Sequence, residues 1–434
     1  MNTVVAAIIL LAYAVLAFKN RTHALIILVA TLPLYLIRFS VGPLPSTVLE
    51  GMICILFLFW LIFEKRFLPT VATFFREKKT FALSVCVFLL AATISIFVSP
   101  DIRAAVSEWR AYFIEPALVF LVAIDRIRTK TDLRHIFDAS IASAAIIGAI
   151  AVYQRFTGWH IPPPWLSELR VTSIYPYPNA VGLYLAPIIS MVVVRLFDTI
   201  RERAHFLRVA IYVGVFLLLF VAVYFAKTEA ALVALAVVLP LMGFIWSNRT
   251  RIATIAICLS IVGIIFSSPP LVSSIQEKLL LKDWSGEVRQ VIWEESRSML
   301  ADHTVFGAGL AGYQKTMAPY HKAKFLEIFL FPHTIVLNFW SETGLLGVVS
   351  FFAIVVVFFF TLVTTVRRKN ADEVFTRMFS LSLFGAMTIF LIHGLVDVPY
   401  FKNDLAVFFW LLLAQALCVE RLSQMSSKGA KSIQ

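Results

Sequence analysis

Charge is scarce in this sequence. Only 15% of its 434 residues are Asp, Glu, Lys or Arg, while 60% are hydrophobic. A soluble domain carries about a quarter of its residues as charges, so an ordinary water-soluble fold is excluded. Cysteine is rare too. Cys54, Cys86, Cys258 and Cys418 lie far apart in apolar segments with no C-x-x-C pair, which removes both a disulfide framework and a cysteine-held zinc site. There is no internal repeat of the kind that marks inverted-topology transporters, and no low-complexity run. The first apolar block lacks a basic leader and a small-residue cleavage site, so it reads as a retained span and not a removed signal peptide.

What the chain has in quantity is long apolar runs. Mean hydropathy is +0.86. Blocks of roughly 16 to 22 residues, each able to cross a hydrocarbon core of about 30 Å as a helix, cover 3–18, 22–38, 48–63, 80–99, 111–125, 136–154 and 180–195. Six more cover 209–225, 229–246, 252–268, 334–363, 378–394 and 405–419. The expected fold class is all-α: a polytopic membrane protein with about 12 to 13 transmembrane helices. Residues 1–434 would form a single integral membrane domain, with 269–333 as one long extracytoplasmic loop.

Net charge is +12, and its placement is topological. Lys65, Arg66, Arg76, Lys78 and Lys79; Arg126, Arg128, Lys130 and Arg134; Arg195, Arg201, Arg203 and Arg208; Arg249 and Arg251; and Arg367, Arg368 and Lys369 fall in alternate connections. Basic residues stay on the cytoplasmic side during insertion, so this set is placed inside. The opposite set, 39–47, 100–110, 155–179, 269–333 and 395–404, then faces outward. The basic loops account for most of the net charge, and no nucleic-acid partner is needed.

The polar stretch 269–333 holds Lys278, Glu287, Arg289, Trp293, Arg297, His303, His321 and His333 and cannot span. So long an external segment is where a membrane protein does chemistry. Ser285 to Leu300 reads as a helix with Ser285 at its N-cap, and Arg289, Trp293 and Arg297 share one face. The run from Phe306 to Gly312 fits G-x-G-x-x-G, but no strand precedes it, so it reads as a tight turn and not a dinucleotide site. Pro332 suits the first turn of a helix, with His333 next. The N–H groups at a helix start attract an anion, and a neutral imidazole beside them is free to take a proton; an interfacial histidine that merely caps its neighbours is the alternative. Arg289 and Arg297 suit a pyrophosphate, because guanidinium presents parallel donors to phosphate oxygens, although a pair of loop arginines also makes an ordinary solvated face. Glu50, Glu115, Lys227, Glu229, Glu342, His393 and Asp397 lie in or at the ends of spans, where an ionisable group needs a partner or a cavity. Lys227 and Glu229 fit either a local ion pair or a substrate-phosphate contact.

The segment from Pro332 to Gly347, with histidine followed by Glu342-Thr-Gly-Leu-Leu-Gly347, resembles the most recognisable motif of the O-antigen ligase and polymerase family. Arg289 to Gly309 is similar to the arginine-bearing outer loop that precedes that histidine. Arg170 to Leu185, with Tyr177-Pro-Asn179, looks like the family's mid-chain arginine and proline-asparagine stretch. Lys227-Thr-Glu229 looks like its short outer turn, with Glu229 where many members carry arginine. The resemblance implies a fold similar to polyprenyl-donor membrane glycosyltransferases in the bacterial cytoplasmic (inner) membrane, active on the extracytoplasmic face. It implies catalysis by His333, pyrophosphate binding by Arg289, Arg170 and Lys227, and support from Arg297, Glu342, Asp397 and Glu229. No cofactor and no metal are expected. The implied partners are a polyprenyl-pyrophosphate-linked glycan donor, a glycan, lipid or protein acceptor, and membrane lipid. The competing reading is a transporter or flippase of the same lipid-linked glycans.

Overall fold

A computed structural model describes residues 2–42, 44–368 and 372–431. Apart from one short hairpin its regular elements are all helical, as hydrocarbon requires, because it leaves backbone N–H and C=O groups no partners but one another. Among the described residues, nine helices are long and apolar enough to cross a membrane: Lys79–Val98, Lys130–Thr157, Asn179–Arg201, Phe206–Phe225, Glu229–Trp246, Asn248–Phe266, Ile335–Arg367, Glu373–His393 and Asn403–Met425.

The remaining expected blocks are shorter or divided. Block 3–18 is the helix Asn2–Lys19. Block 22–38 does not hold as one helix: Arg21–Ala30 ends, a 3₁₀ turn Leu32–Leu36 follows, and the chain pairs antiparallel through Arg38–Val41 and Leu44–Thr47. Pro33 lacks an N–H and cannot continue the preceding helix. Blocks 48–63 and 111–125 each combine a short α-helix with one π turn, Val48–Phe59 with Trp60–Glu64 and Arg110–Ile114 with Glu115–Arg126. Starts are marked by reciprocal capping: Thr47 with Glu50, and Thr129 with Asp132.

Asn403–Lys431 and Asn179–Arg201 stand at the centre; 94% and 83% of their apolar windows are buried. The first packs on Glu115–Arg126 and Glu373–His393, the second on Glu373–His393, Phe206–Phe225 and Lys130–Thr157. Ile335–Arg367 lies along Lys79–Val98. Aromatic rings fill the space between them: Phe339 stacks on Phe351 at 4.3 Å, and Tyr400 touches Phe88, Phe113 and Phe339. Asn248–Phe266 is the outlier, with none of its window buried.

The two sets of connections gather at opposite ends of the bundle. At the basic end, Arg66 and Arg128 hold Asp125, Arg126 holds Glu64, Lys130 and Arg201 hold Asp372, Arg134 and Arg195 hold Asp198, and Arg368 and Lys78 hold Glu420. Except for Arg128–Asp125 and Arg195–Asp198, which are three residues apart, these pairs tie segments distant in sequence. At the other end lie His333, Asp397, Arg170, Arg289, Lys227, Glu50 and Glu342.

The long polar stretch is folded. It contains the helices Pro269–Leu279, Trp284–Asp302 and Tyr313–Met317. Asp283, not Ser285, occupies the N-cap of the central one. The turn from Phe306 to Gly312 inserts between two long helices. Leu310 N–H donates to Ser95 O at 3.3 Å, and Ala308 N–H donates to Ser341 O at 2.6 Å. That second bond exists because Ile335–Arg367 is broken at Gly344 (φ 68°, ψ −175°), which frees Ser341 O and turns Leu345 N–H toward Val305 O at 3.0 Å. Glu342 accepts from Ala311 N–H at 2.6 Å, and Glu108 accepts from the same group at 3.2 Å. Burial pushes the Glu108 carboxyl up to about 7, against the pull of that N–H. The glutamate and first glycine of the E-x-G motif therefore build a socket for the loop.

Only glycine tolerates the Gly344 backbone, and a Cβ there would overlap Val305 O and meet Phe306 Cα at 2.9 Å. Gly344→Ala is expected to cost about 1–3 kcal/mol from backbone strain alone. The measurement is thermal unfolding of purified protein in detergent; an unchanged midpoint would contradict the socket.

Candidate functional site

His333 is not in the first helical turn, contrary to the sequence expectation. The helix begins at Ile335 with Thr334 at the N-cap, and His333 precedes it with φ 51°. Pro332 likewise lies outside the helix, and its carbonyl accepts from Trp293 Nε1–H at 3.0 Å. Left-handed backbone at a β-carbon residue persists only where surroundings impose it, and such positions gather at working sites. The anchors here are that tryptophan, Phe329 edge-on to the imidazole at 5.2 Å, and Ile335 N–H donating to Gly394 O at 2.7 Å. The His333 side chain is 32% exposed, open enough to meet a substrate.

Asp397 faces it. His333 Nδ1 and Asp397 Oδ1 are 3.9 Å apart, an electrostatic contact longer than a hydrogen bond. The other oxygen, Oδ2, accepts from Asn179 Nδ2 at 2.9 Å, while Val398 N–H donates to Oδ1 at 2.8 Å. Burial drives the Asp397 carboxyl upward, but His333, His393 and the Val398 N–H outweigh it and hold it down at about 2. Asn179 in turn accepts from Arg170 through Oδ1 at 2.9 Å. The result is a chain from Arg170 through Asn179 to Asp397 and His333, drawn from four segments.

Among the described residues, Arg170 and Arg289 have no carboxylate partner. Arg170 donates to Ala226 O at 2.9 Å and Lys227 O at 3.3 Å, and its guanidinium lies over the Trp165 ring at 5.1 Å. Arg289 donates to Val396 O at 3.1 Å and Ser285 O at 3.3 Å. Burial disfavours the Arg170 cation, and the like charge of Arg289 adds to this, while Glu168 and Glu229 favour it. Two half-buried guanidiniums close enough to repel, each bonded only to neutral oxygens, make a place for an anion.

The other candidates divide. Lys227, at φ 49°, has its ammonium on Glu168 at 3.0 Å. Glu229 pairs with Lys278 of the long stretch, not with Lys227. Arg297 is exposed, with no hydrogen-bond or ion-pair partner among the described residues, and lies about 12 Å along the helix from Arg289. Glu342 sits at the loop socket. Glu50 and Glu115 share Arg110, at 2.9 and 3.2 Å.

Sequence reasoning did not assign Asn179, although it quoted the Pro-Asn pair that opens its helix. It also missed Lys402 and Asp404. The Lys402 ammonium is 3.7 Å from the Tyr175 ring and 3.2 Å from Asp404, which also accepts from Tyr175 OH. Two opposite charges two residues apart at the start of an apolar helix were the available signal. Among the described residues, no three His, Cys, Asp or Glu side chains are grouped so as to hold a metal ion.

A multi-pass helical membrane protein with His333, Asp397, Asn179 and two half-buried arginines gathered at one end of its bundle is thus described. Residues 214–352 match the family model for O-antigen ligase. This supports an O-antigen ligase/polymerase family and a glycan-transfer role in O-antigen or polysaccharide assembly. The match includes Lys227, Arg289, His333 and Glu342; Arg170, Asn179 and Asp397 join them only through the fold. No curated protein matches the chain.

The depressed Asp397 carboxyl predicts a pH effect. A folded value of about 2, below the ordinary 3.8, contributes stability that is complete above about 3.8 and is lost as pH falls through about 2. Its size is on the order of 2 kcal/mol. Thermal unfolding across that window should show this component in the wild type and not in Asp397→Asn.

Proposed function

We propose that this protein transfers a glycan from polyprenyl pyrophosphate to an acceptor hydroxyl at the extracytoplasmic face of the bacterial cytoplasmic membrane. The observation that carries the reading is the position of Arg170 and Arg289, neither neutralised by a carboxylate, beside the His333–Asp397 pair. The whole chain then works as one integral membrane domain, with 269–333 forming the external cover that carries Arg289.

The donor's pyrophosphate lies against Arg289 and Arg170. Lys227 exchanges Glu168 for a phosphate oxygen, so its surface ion pair is a resting contact. The neutral imidazole of His333 takes the proton of the acceptor hydroxyl, whose oxygen attacks the anomeric carbon. The bond from that carbon to the pyrophosphate oxygen breaks, with inversion, and polyprenyl pyrophosphate leaves. Its charge is held by fixed guanidiniums in a partly desolvated site, where electrostatic stabilisation is strongest. Asp397 stabilises the imidazolium and, through Asn179, keeps Arg170 in place. Glu342 acts at a distance, through the loop socket, and Arg297 and Glu229 serve the cover. The acceptor is a sugar, lipid or protein hydroxyl, and the transfer needs no metal.

The test is transfer in proteoliposomes from a polyprenyl-pyrophosphate glycan to each class of acceptor, at matched protein levels and with EDTA. His333→Ala is expected to lower turnover by about 100-fold or more. Arg289→Ala should weaken donor use and turnover together, and EDTA should change nothing. Full activity in both variants would remove this site. Movement of the donor across the bilayer without transfer would install the flippase reading instead.

A further inference from the structure

Beneath the proposed site lie two polar side chains that the mechanism above does not use. His393, the last residue of Glu373–His393, is 1% exposed, and neither ring nitrogen has a hydrogen-bond partner among the described residues. Asn338, in the opening turns of Ile335–Arg367, is 0% exposed, and both its amide nitrogen and its amide oxygen are likewise unpartnered. A neutral imidazole has one donor and one acceptor, and a primary amide has more, so this is a concentrated set of unmet demands. Native interiors satisfy such groups with protein or ordered water.

Their placement ties them to one seam. The two helices pack together, and their ends are joined where Ile335 N–H donates to Gly394 O at 2.7 Å. Asn338 follows Ile335 by three residues, on the same helical face, and His393 precedes Gly394. His393 also lies near enough to Asp397 and Arg289 to feel both charges. The unpartnered atoms therefore belong to the helix ends that lead into the His333 and Asp397 segments.

We propose that His393 and Asn338 hold ordered water at this seam and that His393, through it, positions Asp397 against His333. The need for such help is visible in the geometry. Asn179 holds Oδ2 and Val398 N–H holds Oδ1, yet His333 remains 3.9 Å away, and a water held by His393 would give the carboxylate one more donor to fix its orientation. His393 is a positioning residue here and touches no substrate. The inference rests on the transfer reading for its kinetic consequence but not for its structural one.

Two experiments test it. The first is an experimental structure at a resolution that shows water. Density within hydrogen-bonding distance of His393 and Asn338 is expected, and a dry seam overturns the proposal whether or not the protein transfers glycan. The second compares wild type, His393→Leu and His393→Gln in the transfer assay, after size-exclusion chromatography shows that each variant is folded. Leucine satisfies a packing role, while glutamine keeps a donor and an acceptor. The expected result is a kcat at least about tenfold lower for leucine with KM for the donor unchanged, and recovery of most of that loss by glutamine. Equal kcat in all three overturns the positioning role while leaving the transferase reading intact. Inactive wild type removes the transferase reading, and the density then decides this proposal alone.

Discussion

The carboxylate of Asp397 is the point on which the end of the bundle depends. It lies in the short connection between Glu373–His393 and the central helix that starts at Asn403, and it meets Asn179, Val398 N–H and His333 there. The same connection offers Val396 O to Arg289. A buried negative charge in a low-dielectric setting is tolerated only with such a set of donors and cations. Segments separated by up to hundreds of residues are thereby held in one register, with Arg170 tied to Asp397 through Asn179 and Arg289 tied to the same connection through Val396 O.

A second constraint comes from the broken helix. Irregular backbone near hydrocarbon must find its partners inside the protein. The interruption at Gly344 meets that requirement by pairing with the loop 305–311, which also pairs with Ser95. Glu342 and Glu108 complete the arrangement by sharing one N–H. The motif around Glu342 is therefore architectural: it locks the loop that follows the helix Trp284–Asp302 to the membrane helix that His333 precedes, and Trp293 bonds to Pro332 O just before that helix.

The opposite end of the molecule is held differently. There a share of the basic residues that set topology is engaged in ion pairs, two of them bidentate, Arg195 with Asp138 and Arg134 with Asp198. Among the described residues Arg170 and Arg289 lack carboxylate partners, whereas Arg110 at the same end is held by Glu50 and Glu115 and Arg134 and Arg195 at the opposite end are held by Asp198; that contrast distinguishes a structural cation from one open to a ligand.

Hydropathy alone determined the all-helical membrane class, the helices Lys79–Val98, Phe206–Phe225 and Glu229–Trp246 nearly to the residue, and the grouping of basic loops at one end. Those properties follow from local composition acting against a hydrocarbon solvent. Pro33 and the π turns divided blocks that composition drew as continuous, because hydropathy does not register backbone hydrogen bonding. His333, Arg289, Arg170 and Asp397 stood out in the sequence as polar residues in unusual places. Which of them meet was decided by the tertiary structure. Arg297 shares a helix with Arg289 yet stands exposed about two turns away, Lys227 finds Glu168 and not Glu229, and Asn179 becomes the link between Arg170 and Asp397. Such choices depend on the rotation and register of packed helices, which are set by side-chain contacts across the whole bundle and have no signature within any one segment.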